Sequence, residues 1–294
     1  MTQDPTVSVI VPHYADLHRL DVCLAALKRQ TYPEGALEII VADNGSPEGV
    51  AAVDAVIAQR ARLVTVSERG AGPARNGAVS LATGDVLAFI DADCVADPDW
   101  VSCGIGGLSR GDVVGGRVDV LVRDESDLSG PEAFERVFAF DFKTYIERKK
   151  FTGAGNMFCL RTTFAAVGGF GSGISEDVEW SRRAQSLGYS LVYEPTAAVG
   201  HPARATWTEL TLKWRRIHRE TFALVCRRPG GRWIWLARTL ATPLSIAVHL
   251  PRVWLTPKLA STRHRARASL TLARIRIWRF FDGLALMRRS PSSP

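Results

Sequence analysis

The chain has 294 residues, 46% hydrophobic and 23% charged, enough for a sizeable buried core in one large domain with an appendage or in two smaller ones. Its five cysteines (Cys23, Cys94, Cys103, Cys159 and Cys226) are scattered, odd in number and without a CxxC pair, which argues against a disulfide scaffold or a zinc site. The net charge of +7 is uneven: residues 1–200 hold 18 basic and 27 acidic side chains and residues 201–294 hold 19 and 3, so the basic end suits phosphate groups, a membrane surface or nucleic acid.

The opening MTQDPTVSVI lacks a basic start and a long apolar stretch, so no signal peptide is expected and the body is expected to stay in the cytoplasm. VSVIVP (7–12) reads as a buried strand, followed by a helix over 16–30 with Leu17, Leu20, Leu24 and Leu27 on one side. LEIIVAD (37–43), RLVTVS (62–67) and DVLAFID (85–91) read as further strands, separated by helices ending near 60 and spanning 73–82. Strands rich in Val, Ile and Leu, alternating with helices, predict an α/β fold with a mostly parallel central sheet covered on both faces. GDVVGGRVDVLV (111–122) reads as a strand, PEAFERVFAFDFKTYIERK (131–149) as one helix, and FTGAGNMFCLR (151–161) as a strand entered through glycines. After Gly168-Gly169-Phe170 and a Gly/Ser loop, Ser175 is expected to cap a helix running to about 187, with Glu176 and Asp177 in its first turn. LVYEP is a further strand, and His201 closes the acidic body.

The polar clusters sit at the predicted strand ends: Pro12-His13-Tyr14, Asp43-Asn44-Gly45-Ser46, Glu68-Arg69-Gly70 and Asp91-Ala92-Asp93. In parallel α/β sheets, ligands bind beyond those ends. Asp91 and Asp93 are separated by one residue, so strand alternation turns both carboxylates to one side. Mg²⁺ or Mn²⁺ prefers such oxygen ligands, completed by water and substrate phosphates, which makes a diphosphate the natural third partner.

From Val7 to His201 the chain resembles the inverting nucleotide-sugar glycosyltransferases of family 2, which have the GT-A fold. The resemblance rests on SVIVPHY, IIVADNGS, GAGPARNGAVSLATGDVLAFIDAD, GAGNMFCLRTTFAAVGGF and SEDVEWSRRAQSLGYSLVYEP, in the family's order. It implies that Pro12, His13 and Tyr14 flank the nucleoside, that Asp43 and Asn44 stand where the base is contacted, and that Arg75 approaches the nucleotide. Many members have a second acid at Asn44, and an asparagine more often follows the tyrosine where this chain has Ala15-Asp16. Asp91 and Asp93 match the DxD motif, the first at ribose or metal and the second at the metal. Asp177 matches the catalytic base, with Glu176 beside it, and His201 resembles a histidine used near the metal. Gly153, Gly155 and Asn156 line a turn where backbone approaches sugar or acceptor, and Trp180 would wall the acceptor site.

Each residue also has a plainer reading. Glu176 and Asp177 would stabilise a helix N-terminus by about 0.3–1 kcal/mol; Arg75 would be a solvated helix residue, His201 a satisfied structural histidine, the glycines a tight turn, and Trp180 a core ring.

Residues 1–203 thus read as the catalytic domain and 204–294 as a helical basic extension. Residues 205–228 read as a helix bearing Lys213, Arg215, Arg216 and Arg219, one of which could reach a product diphosphate. WIWLARTLATPLSIAVHLPRVWL (233–255) has the length to span a bilayer but is interrupted by Arg238, Pro243 and His249. In the last stretch Leu270, Ala273, Ile277, Phe280, Phe281 and Leu284 share a side opposite Arg274, Arg276 and Arg279, which fits either a helix lying on an anionic membrane or one docked on the protein or a second copy. The tail SPSSP is expected to be disordered.

The expected activity is sugar transfer from a nucleotide-sugar donor to a glycan or lipid-linked acceptor, peripheral to the inner membrane face. A sugar nucleotidyltransferase would need a glycine-rich basic loop after the first strand, and VPHYADLHRL offers none. No nucleic-acid recognition motif is present, so nucleic acid is not expected as a partner; a catalytically silent membrane scaffold fits poorly with both DAD and ED.

Overall fold

The computed structural model describes residues 4–172 and 175–288; the SPSSP tail and part of the Gly/Ser loop lie outside them. The elements run β1 (Val7–His13), α1 (Leu17–Leu27), β2 (Leu37–Asp43), α2 (Val50–Ile57), β3 (Arg62–Thr65), α3 (Ala71–Val79), β4 (Val86–Ile90), β5 (Val95–Ala96), α4 (Trp100–Gly107) and β6 (Val113–Leu121). They continue α5 (Gly130–Phe138), α6 (Phe142–Glu147), β7 (Asn156–Leu160), α7 (Arg161–Val167), α8 (Glu176–Ser186), β8 (Leu191–Pro202), α9 (Trp207–Cys226), α10 (Gly231–Ala241), α11 (Ser245–Leu255) and α12 (Thr262–Arg288).

Eight strands form one sheet in the order β3-β2-β1-β4-β7-β6-β8-β5. The first four pair in parallel, with Val9 opposite Ile39 and Ala88, whereas β7 runs antiparallel to both β4 and β6. The expected mostly parallel sheet is therefore mixed, parallel in its N-terminal half. Strand alternation builds two cores on its two faces. Val9, Val11, Val41 and Ala88 enter one with α1 and Trp100, while Ile10, Ile40, Leu87 and Phe89 enter the other with α3, Phe164 and Trp180.

Two compact units emerge, Met1–Asp119 with Phe140–His201, and Val120–Ala139 with Pro202–Pro294. The boundary near 203 expected from composition falls close to the second unit's start, but the segment 120–139 joins the C-terminal helices. In that second unit α5 packs with α12, and Leu128, Phe134, Leu210, Val253, Leu272 and Ile275 share a core. Glu135 is buried between Lys213 Nζ at 2.8 Å and Arg204 Nη1 at 3.3 Å. Burial alone would raise the Glu135 pKa; the two cations outweigh it and hold the carboxyl below its ordinary range.

Two local expectations are corrected. The single helix over 131–149 is two, because Ala139 is extended and Phe140 sits at φ 54, between α5 and α6. Ser175 precedes α8 but at φ 58 its side chain makes no capping hydrogen bond. In keeping with the interruption expected at Pro243, the 233–255 stretch is α10 and α11 joined by a turn, and no helix among the described residues is long and apolar enough to cross a membrane.

Candidate active site

The register levels the strand ends: His13 pairs with Asp43, Asp43 with Thr65, and Ile10 with Phe89, so Asp91 follows two residues beyond. Because β7 runs antiparallel, its start meets the end of β4, with Asn156 opposite Ile90. Gly155 then lies against Asp91: a Cβ there would stand 2.5 Å from Asp91 Oδ2, closer than real side chains come. Two residues earlier, a Cβ on Gly153 would be 3.6 Å from Asp177 Oδ2. One short glycine loop therefore borders both acids.

Arg75 joins them. From the buried face of α3 its Nη2 donates to Asp91 Oδ1 and its Nη1 to Glu176 Oε1, each at 2.7 Å, with the guanidinium 5.7 Å from the Phe170 ring centre. Burial works against the arginine's charge, but Asp91 and Glu176 more than offset it and raise its pKa. The helical residue that could have been solvated is thus the bridge between the DxD strand and the start of α8. Asp177, next to Glu176, accepts from Val178 N at 2.7 Å. Burial, then the adjacent Glu176, pushes its pKa up to about 6, against the opposing pull of Arg75.

Asp93 faces a second group. Its Oδ2 lies 3.2 Å from His201 Nε2 and 3.7 Å from Arg19 Nη1. Pairing of Val95 with Gly200 explains why a residue over a hundred positions away arrives here, and the His201 ring packs 4.5 Å from Phe140. Among the described residues, no three His, Cys, Asp or Glu side chains converge as a ready-made metal site. Cys23 and Cys94 beside the acids are buried; burial first and the two aspartates second push their thiols up, so they serve as packing groups.

The residues expected on the nucleoside side are held largely by their own loops. Asp43 accepts from Gly45 N and Ser46 N at 3.3 Å and from the Ser46 hydroxyl. Both amide hydrogens of Asn44 go to Val66 O (2.9 Å) and Glu68 O (2.7 Å), and its Oδ1 accepts from Gly70 N at 2.8 Å. The Asn44 side chain thus fastens the β3–α3 loop. His13 is buried, and burial lowers its pKa against the pull of Asp43. Pro12 stands opposite Ala42, one residue before the parallel pairing ends at His13, and Tyr14 is exposed with the Arg69 guanidinium 5.4 Å from its ring centre. Ala15 and Asp16 both take left-handed backbone (φ 54 and 59), sparsely populated for such residues.

Two acceptor-side expectations are also corrected. Trp180 is fully buried, donates to Gly168 O at 2.8 Å and packs on Phe164 and Phe170 at 5.6 Å, so it supports the ring beneath Arg75 instead of walling a pocket. Asn156 is fully buried, donating to Arg117 O and Ala197 O and accepting from Trp100 Nε1. Its full set of partners ties β6, β7 and β8 together. Sequence reasoning missed Arg19 and Arg69 as site residues; Glu68-Arg69-Gly70 stood at a strand end without a role, and Arg19 had only its position one turn into α1 as a signal.

Comparison with known proteins agrees with this architecture. The family model described as Glycosyl transferase family 2 matches residues 8–169. Glycosyltransferase AglE of Haloferax volcanii is 31% identical over 211 residues, 68% of each chain. Validoxylamine A glucosyltransferase of Streptomyces hygroscopicus subsp. jinggangensis is 35% identical over 101 residues, where this chain covers only 24% of that protein. Among solved structures, mannosyltransferase PcManGT from Pyrobaculum calidifontis, in complex with GDP-Man and Mn²⁺, aligns with TM-score 0.62 at 19% identity over 99% of this chain and 89% of that one. GalNAc-T7 with UDP, GalNAc and Mn²⁺ aligns with TM-score 0.53 over 68% of this chain and 44% of that one. The chain belongs to glycosyl transferase family 2: it is a glycosyltransferase of GT-A fold with a helical C-terminal region.

Proposed function

We propose that the protein is an inverting transferase that moves a sugar from a nucleoside-diphosphate sugar to a hydroxyl of a glycan or lipid-linked acceptor, assisted by Mn²⁺ or Mg²⁺. The observation that carries this reading is Asp177: a half-buried carboxyl raised to about 6, bordering the same glycine loop as the DxD aspartate. A base of that pKa is ionised at neutral pH yet still accepts a proton readily, the balance general-base catalysis needs. Asp177 would take the hydroxyl proton as the acceptor oxygen attacks the anomeric carbon from the face opposite the departing diphosphate. That single displacement inverts the centre and requires no covalent intermediate.

The donor set suits a divalent ion. Asp93 and His201 present a carboxylate and an imidazole within 3.2 Å of each other, a pairing compatible with Mn²⁺, and the diphosphate oxygens would complete the shell. When bound, the ion would supply positive charge opposite the leaving diphosphate, a role Arg19 near Asp93 could share. The two solved relatives, both holding Mn²⁺ with a nucleotide or nucleotide sugar, support this assignment. Arg75 would stand between Asp91 and Glu176, fixing both carboxyl groups in place and offsetting their mutual repulsion.

The test is a panel of nucleotide sugars with Mn²⁺ or Mg²⁺, followed by thermal shift and by NMR of the product's anomeric proton. At least one donor is expected to raise the melting temperature only with metal, since a native-state ligand stabilises by RT ln(1 + [L]/Kd). The product is expected to be inverted; retained configuration would overturn the single-displacement reading.

A further inference from the structure

Helices α10 and α11 are docked along one side and bare along the other. Gly231, Trp235 and Thr239 of α10 and Val253 of α11 are buried; Trp235 Nε1 donates to Gly283 O of α12 at 3.0 Å, and a Cβ on Gly283 would fall 2.8 Å from Thr239. On the other side Trp233, Ala237, Leu240, Leu244, Val248 and Leu255 recur at intervals of three, four or seven residues, one helical stripe. Thr242 (φ −58, ψ −44) and Leu244 (φ −62, ψ −28) keep right-handed backbone in the intervening turn, so the spacing carries through it. Trp233 (75%), Leu244 (74%), Val248 (75%) and Leu255 (82%) stand almost fully in solvent. A contiguous apolar stripe of this kind marks a surface that something covers.

Charge says what covers it. Residues 221–281 contain twelve Lys and Arg and no Asp or Glu, and Arg232, Arg238, Arg252 and Lys258 lie exposed on the same two helices and just beyond. A second copy would set basic against basic, and a nucleic acid would leave the Leu and Val side chains unused. An anionic bilayer takes both, the stripe at the acyl boundary and the basic groups among the lipid headgroups. Each helix has 11 residues, about half the roughly 20 needed to cross a bilayer, so the pair lies in the interface plane. We propose that α10 and α11 form a membrane-docking face for anionic lipid. Helix α12 buries Ala268, Leu272 and Ile275 in the protein's own core, while Leu270, Ile277 and Phe281 of the stripe expected from its sequence are exposed.

The test is flotation of the full chain with vesicles of phosphatidylcholine and phosphatidylglycerol at about 7:3, and with phosphatidylcholine alone. Binding is expected to the anionic vesicles and to be at least about tenfold weaker to the neutral ones. The double variants Leu244→Glu/Val248→Glu and Leu244→Ser/Val248→Ser change only exposed side chains and are expected to keep the wild-type circular dichroism and melting temperature. Both should lose at least about tenfold in vesicle binding. Wild-type binding by either double variant, no wild-type binding to anionic vesicles, or a dimer that the Ser variant splits without any vesicle binding would overturn the proposal. No donor or metal enters the assay, so its failure leaves the transferase reading standing.

Discussion

Asp177 is an acid that folding leaves poorly solvated, and two effects of opposite sign follow. Its folded pKa of about 6 lies above the ordinary 3.8, so the basic form that the proposed mechanism requires is lost as pH falls through about 6. The rate of transfer is expected to drop about tenfold per pH unit below that point, read from a pH–rate profile. For stability, a raised folded pKa means that the native state holds the proton more tightly than the unfolded chain. That contribution is fully present below about 3.8 and is lost as pH rises through about 6, so ionised Asp177 weakens the fold at neutral pH. Asp177→Asn is therefore expected to melt higher than wild type at pH 7.5, by on the order of 1–3 kcal/mol, while transfer falls about 10²–10⁴-fold. A melting temperature at or below that of wild type would contradict the burial argument.

Arg75 and Gly155 act on the same cluster. Arg75→Gln leaves Asp91 and Glu176 without their shared cation; the expected loss is about 2–3 kcal/mol in urea unfolding, below the 3–5 of a fully buried pair because the Asp91 side chain is 39% exposed. Since Arg75 pulls the Asp177 pKa down, the same variant should move the acid limb of the pH–rate profile upward. Gly155→Ala should leave the protein folded but displace Asp91, with transfer at least about tenfold slower.

At the scale of elements, Glu135 of α5 ties the 120–139 segment to α9 through Lys213 and to the chain before it through Arg204. Glu135→Ala would leave the partly buried Lys213, whose pKa burial already lowers, without its partner. The expected loss is about 3–5 kcal/mol, seen as early melting or early proteolysis of the C-terminal helices. How much was legible in the sequence also differs by element. The first four strands could be read because Val, Ile and Leu runs survive burial on both faces, and the carboxylates of DAD and ED could be read because they end a strand and open a helix. Helix α4 could not, because three of its eight residues are glycines. Gly104 is needed there, since a Cβ would stand 2.3 Å from the Phe158 ring, so tertiary packing overrides helix propensity. The break at Phe140 is hidden because hydrophobic spacing continues across it. The Arg75 bridge is hidden for a different reason: its partner Glu176 lies 101 positions away, and an arginine's sequence neighbours say nothing of that.

At the scale of the whole molecule, the division into an acidic body and a basic end is softened by the acidic 120–139 segment. Asp127 pairs with Arg267 at 2.6 Å and Arg263 at 3.4 Å, and Glu135 with Lys213, all within the second unit. The basic surface left for an anionic partner is accordingly concentrated in the acid-free stretch 221–281. The proposed chemistry rests on a division of labour between Asp93, which would serve the donor's diphosphate, and Asp177, which would serve the acceptor's hydroxyl. The most direct measurement is calorimetric titration of a nucleotide-sugar donor with Mn²⁺ into wild type, Asp93→Asn and Asp177→Asn, paired with turnover of the same donor. Asp93→Asn is expected to bind the donor at least about tenfold more weakly, and Asp177→Asn to bind it like wild type while turnover falls about 10²–10⁴-fold. Wild-type turnover by Asp177→Asn, or wild-type Mn²⁺-dependent donor binding by Asp93→Asn, would contradict that division.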